Sequence, residues 1–177
     1  MRAWSLLLSV AILGLAGCAN YRLGTGGTLS FSSLYIAPVK NKVLMAQTQA
    51  ITTTQIREAF EKDGRVELVD SSHGADATLE VNLTNYHRDI AATREDDTGL
   101  AREFQITLTA TCTLRDNRTG KLLFEDRQVF VRKNAFTDNG IPGVLDSGNQ
   151  LQSEYNTFPL LATALAEKIT HAVLDVW

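Results

Sequence analysis

The amino-acid sequence predicts an α+β fold, a two-layer sandwich in which one mixed sheet of about four strands carries two helices on one face. Three observations lead there. Phe104, Ile106, Leu108, Ala110, Cys112 and Leu114 alternate with Gln105, Thr107, Thr109, Thr111 and Thr113, the period of a half-buried strand. Phe158, Leu161, Leu165, Ile169, Ala172, Val173 and Val176 recur at helical spacing near the C-terminus. The order along the chain is strand, helix, strands, helix, with no internal repeat and no sign of a second domain.

Each element has its own signal. Residues 34–39 form a short apolar run rich in strand formers and broken by Pro38, which reads as a first strand. A helix follows over 47–62, with Ile51, Ile56, Ala59 and Phe60 on one broad side and Gly64 placed to stop it. Thr52, Thr53 and Thr54 weaken that helix, because β-branched side chains lose freedom in one. Residues 66–69 read as a short strand or its lead-in. Leu79, Val81 and Leu83 then alternate with Glu80, Asn82 and Thr84. Residues 101–133 make a long hairpin about the turn chemistry of Asp116, Asn117 and Gly120. In its return strand Leu122 and Phe124 share one parity while Val129 and Val131 share the other, so a bulge is expected between 125 and 128. The last helix is expected to start at Thr157 as N-cap, with Pro159 in its first turn.

The N-terminus has a different grammar. One positive charge, Arg2, precedes a short apolar run, the layout of a secretory signal peptide, and the run is too short to span a bilayer. Leu15-Ala16-Gly17-Cys18 resembles the bacterial lipobox, in which the chain is cut before a cysteine whose sulfur carries diacylglycerol; the other reading is an ordinary signal peptide with an incidental cysteine. The expected organisation is a signal peptide at 1–17, a lipidated N-terminus and flexible linker at 18–33, and one domain at 34–177. Diacylglycerol and an N-acyl chain on Cys18 would hold the protein on a membrane without any spanning helix. Ala19, where the lipoprotein sorting signal for the inner membrane has aspartate, favours the outer membrane.

Composition narrows the function. Removal of residues 1–17 leaves 160 residues with a side-chain charge of −4, which gives no case for nucleic acid as a partner. With Cys18 lipidated, Cys112 has no partner for a disulfide. Its place on the apolar side of an alternating run makes it a small buried hydrophobe rather than a nucleophile. His73, His87 and His171 are far apart and lack metal-ligand spacing, and no nucleophile elbow, paired-cysteine motif or phosphate loop occurs, so neither an enzyme nor a metal or other cofactor is expected. Glu95, Asp96 and Asp97 are a solvated turn before they are a cation site.

Several short motifs resemble those of the LptE family of lipopolysaccharide-assembly lipoproteins. Cys18-Ala19-Asn20-Tyr21-Arg22-Leu23-Gly24 is similar to the family's Cys-Gly-Tyr-x-Leu-x-Gly opening, with Ala19 and Asn20 departing from its glycine region. Residues 34–41 match its I-x-P-x-x-N strand, 74–81 its A-D-A-x-L strand, and 116–123 its D-x-x-T-G-K-x-L turn. The resemblance implies a non-enzymatic plug inside the barrel of a partner, LptD, which supports barrel assembly and contacts lipopolysaccharide. It also marks the loop bearing Arg94 as the place where basic residues meet that lipid. Arg94 and Arg102 flank one loop and Arg132 and Lys133 end the long hairpin, so that converging ends would gather four cations; otherwise they are ordinary surface charges. Thr107, Thr109, Thr111 and Thr113 form a polar sheet face suited to a barrel lumen or simply to solvent. A lipoprotein accessory of another envelope machine, a peptidoglycan synthase or a secretion pore, is the competing class.

Overall fold

The computed structural model describes residues 29–43, 48–93, 101–136 and 148–175, without the side chains of 101, 102 and 148–150. Its contacts separate Leu29–Leu174, which holds every element below, from residues 1–28 and 175–177. The elements run β1 (Ser33–Ile36), β2 (Lys40–Asn41), α1 (Thr48–Asp63), β3 (Glu67–Val69), a 3-10 turn (Ser72–Gly74), β4 (Ala77–Thr93), β5 (Ala101–Asp116), β6 (Leu122–Phe136) and α2 (Gly148–Leu174).

The sheet order is β3-β1-β4-β5-β6, with β2 also paired to β4, which makes six strands where about four were expected. The surplus is in the three residues of β3, already read at 66–69 as a short strand or its lead-in, and in the two of β2, a segment too short for an alternation to declare itself. The sheet is mixed, as predicted: β1 pairs parallel with β3 and β4, and β4, β5 and β6 form an antiparallel meander.

One face of the sheet packs beneath the two helices. Leu34, Ile36, Leu79, Val81, Leu83, Ile106, Leu108, Ala110 and Cys112 meet Ile56, Phe60, Leu161, Leu165 and Ile169 in one buried cluster. Each large side chain taken fully out of water there contributes about 2 kcal/mol. The alternation of residues 104–114 holds on the apolar side at every residue, and on the polar side at every residue but Thr109, which is also buried. Burial in this core pushes the Cys112 thiol up to about 12, against a smaller opposing pull from Arg127.

Two bulges change which residues see the core. In β6, Asp126 adopts φ 46° and its N–H donates to Thr113 Oγ1 at 3.2 Å, so that Cys112 faces Arg127 while Leu114 faces Phe124. This is the bulge expected between 125 and 128. In β4 the register shifts between Leu83 and Asn85, which hands the core side from odd to even residues and aims Tyr86, Arg88 and Ile90 toward the helical layer. The strand therefore runs nine residues beyond Thr84, where alternation stopped being visible.

The helices depart from expectation in instructive ways. α1 buries Thr48, Thr52, Ile56 and Phe60, so Thr52, one of the three threonines read as a weakness, is part of its inner stripe. Gly64 closes the helix at φ 73°, its N–H donating to Phe60 O at 3.1 Å. α2 begins at Gly148, nine residues before the predicted start. Thr157 is inside the helix, where its hydroxyl donates to Ser153 O at 2.7 Å rather than capping. Pro159 is tolerated because it is exposed, on a side where water can serve the backbone group it leaves without a partner. At the other end, Arg65 donates to Leu174 O at 3.2 Å and Arg127 donates to Ala172 O, two cations on the negative end of the helix dipole.

Candidate partner-facing surface and its two ends

β4 and β5 extend about 50 Å, and the side chains at their two ends are organised on different principles. At the near end, three distant segments meet on Asp76. Its Oδ2 accepts from Ser32 N at 2.9 Å, Ser32 Oγ at 2.8 Å and Ser33 N at 3.1 Å, and its own N–H donates to Ser33 Oγ at 2.9 Å. These donors hold the carboxyl down to about 2. Asn117 ties in the β5–β6 turn, with its N–H on Asp76 O at 2.8 Å and its side-chain amide on Ser72 O and Ala75 O, while Thr78 Oγ1 donates to Asn117 Oδ1. Arg118 reaches Ser30 O at 2.7 Å. Phe31, between the clasped residues, is buried in the core.

The far end depends on one carboxylate. Glu154, in the second turn of α2 and 7% exposed, accepts from Tyr86 Oη at 3.2 Å and from an Arg88 guanidinium nitrogen. Arg88 also sits over the Phe104 ring, 5.3 Å from its centre. Burial raises the Tyr86 phenol, and the Glu154 charge and hydrogen bond raise it further. Around this group Ile90, Phe136, Leu151 and Tyr155 are exposed by 62–71%.

Of the four basic residues singled out by sequence, Arg94 lies outside the described residues, as do Cys18 and the acidic turn at 95–97. Arg102 is on β5 just past its pairing with Thr93, at the far end, and its side chain is not described. Arg132 and Lys133 are both exposed, opposite Thr107 and Ile106. Being consecutive in a strand they point to opposite faces, Arg132 to the threonine side and Lys133 to the helical side. Arg132 stacks on Phe130, 5.1 Å from its centroid. The threonine face is half-buried, and Thr109 is 7% exposed between Asn85 and Phe130.

Two groups escaped the sequence reading. Asp76 was noticed only as a motif letter, because Ser32 and Asn117 are some forty residues away on either side. Glu154 did leave a signal, since it falls in phase with Phe158, Leu161 and Leu165 on the buried stripe of α2. Among the described residues no three His, Cys, Asp or Glu side chains are placed to hold a metal, and His73, His87 and His171 are all exposed. No helix among them is long and apolar enough to cross a membrane.

Comparison with solved structures finds the same fold. Lipoprotein B from Nitrosomonas europaea superposes with a TM-score of 0.51 at 14% identity, over 88% of each chain. A minor lipoprotein from Acinetobacter baumannii gives 0.50 at 20% identity, over 82% of this chain and 94% of its own. A protein from Xanthomonas campestris gives 0.54 at 12% identity, over 81% and 85%. No curated protein matches by sequence. The model of the LptE family, described as lipopolysaccharide assembly, matches residues 31–173. That span takes in the clasp, the whole sheet and nearly all of both helices, and the chain belongs to the LptE family of non-enzymatic accessory lipoproteins.

Proposed function

We propose that this protein is cut before Cys18, anchored to the outer membrane by lipid on that cysteine, and plugs an LptD-type barrel whose assembly it supports while assisting lipopolysaccharide insertion. Membership of the family across residues 31–173 is the observation that carries this. The surface chemistry agrees with it. A barrel lumen is polar, and the open sheet face offers it threonine hydroxyls. The far end combines exposed apolar side chains with Arg132 and Lys133, while Arg102 is on β5 at that end and Arg94 follows the last residue of β4 in the sequence. Phosphates and acyl chains of lipopolysaccharide need that combination of charge and apolar surface.

Depletion of the protein is expected to lower the amount of correctly assembled LptD and weaken the barrier to large hydrophobic antibiotics; unchanged levels and resistance would sink the function. Mass spectrometry of the mature chain should find a modified Cys18 at the N-terminus. Replacing Arg94 and Lys133 together with glutamate should weaken binding to purified lipopolysaccharide, more at low salt than at high.

A further inference from the structure

We propose that the Asp76–Arg118 clasp is a mechanical stop that takes up load from the membrane tether before it reaches β1, given the lipid anchor on Cys18 proposed above. Ten residues lie between Cys18 and Leu29, a tether of about 40 Å at most when drawn straight. The first firm attachments past its end are Arg118 on Ser30 O and the three donations from Ser32 and Ser33 to Asp76. Between them Phe31 is driven into the core, 7% exposed. A pull arriving at Leu29 therefore meets a hydrogen-bonded carboxylate, a guanidinium and a buried aromatic ring before it meets β1.

Asp76 and Arg118 come from the start of β4 and from the β5–β6 turn, so a load taken up by the clasp is shared among the three longest strands rather than borne by the four residues of β1 alone. β1 runs parallel to β4, and both start at this end. The far end, about 50 Å away, is held out at the opposite pole.

The test is single-molecule pulling on the full mature chain, with one handle at position 18 and the other on an exposed site of α2. The wild type is expected to open without an early step. Asp76→Ala, and Arg118→Ala on an exposed side chain should the first variant fold poorly, are expected to add a low-force step of about 30 Å as residues 29–36 come free. Hydrogen exchange at the Ser32 and Ser33 amides should rise at least tenfold in Asp76→Ala, with β5 amides unchanged. No early step in either variant, or unchanged exchange, would overturn the clasp. Because the handle replaces the lipid, a failure of lipidation would appear only as an unmodified Cys18 in mass spectrometry and leave these results standing.

Discussion

The two ends of the long strands solve the same problem, closing a sheet edge-on, with opposite means. The near end ties the starts of β1 and β4 together with hydrogen bonds between neighbouring segments, and its central carboxylate, Asp76, is partly open to water. The far end buries a carboxylate, Glu154, under a helix and leaves Ile90, Phe136, Leu151 and Tyr155 in solvent. A polar network made by neighbouring segments leaves little apolar surface in water, whereas a buried ion pair beside exposed apolar side chains leaves a great deal. The two ends are thus asymmetric, one closed by hydrogen bonds and the other open and apolar.

The difference can be broken from the middle. Leu165 is fully buried on the stripe of α2 that spans both ends, and Leu165→Ala should cost about 3 kcal/mol in denaturant unfolding. Arg88→Ala acts on the far end alone: it leaves Glu154 buried with less compensation, and because Arg88 is itself partly exposed a loss of about 2 kcal/mol is expected, with faster hydrogen exchange in the first turns of α2 but not at Ser32. Acid should sharpen the contrast at the near end. The Asp76 carboxyl titrates at about 2 when folded, below the unfolded value of about 3.9, so its contribution is complete above that value and is lost as pH falls toward 2. Amide shifts of Ser32 and Ser33 should hold steady from pH 7 to about 4 and move only below. Cys112 lies between the two poles and should resist a bulky thiol reagent until global unfolding, since it is buried and its thiol is raised to about 12. Smallest of all, Arg132→Ala and Lys133→Ala should change stability by no more than about 0.5 kcal/mol, so any loss of lipopolysaccharide binding could be assigned to lost charge.

The parts that were legible in the sequence were those whose signal is periodic and local. Residues 104–114 alternate without interruption, and they gave the register of β5 and the burial of Cys112. The parity change between Phe124 and Val129 gave the bulge at Asp126. The same device hid the end of β4, because the bulge after Leu83 made Tyr86, Arg88 and Ile90 look out of phase with the strand they continue. Pro159 misled in another way: it fits a first turn so well that the helix was started at Thr157 and residues 148–156 were left out of it, although its exposed position costs the helix little. The clasp was invisible for a simpler reason. Nothing near Asp76 in the sequence announces Ser32 or Asn117, and a carboxylate held by partners some forty residues distant has no period to detect.

β6 presents a further consequence. It is the sheet's outer strand, fifteen residues long, and a strand of that length with a free edge invites copies of itself to add on. Two features described above interrupt that edge. Asp126 bulges the strand near its start, and Lys168 reaches across from α2 to donate to Phe130 O at 2.9 Å, occupying an outward acceptor near its middle. Beyond Phe130, alternation leaves outward backbone groups on Arg132, Asn134 and Phe136, a stretch where the exposed charges of Arg132 and Lys133 disfavour a like strand. The lysine and the bulge thus act as a quarantine on the longest exposed edge, keeping one copy from adding to the next.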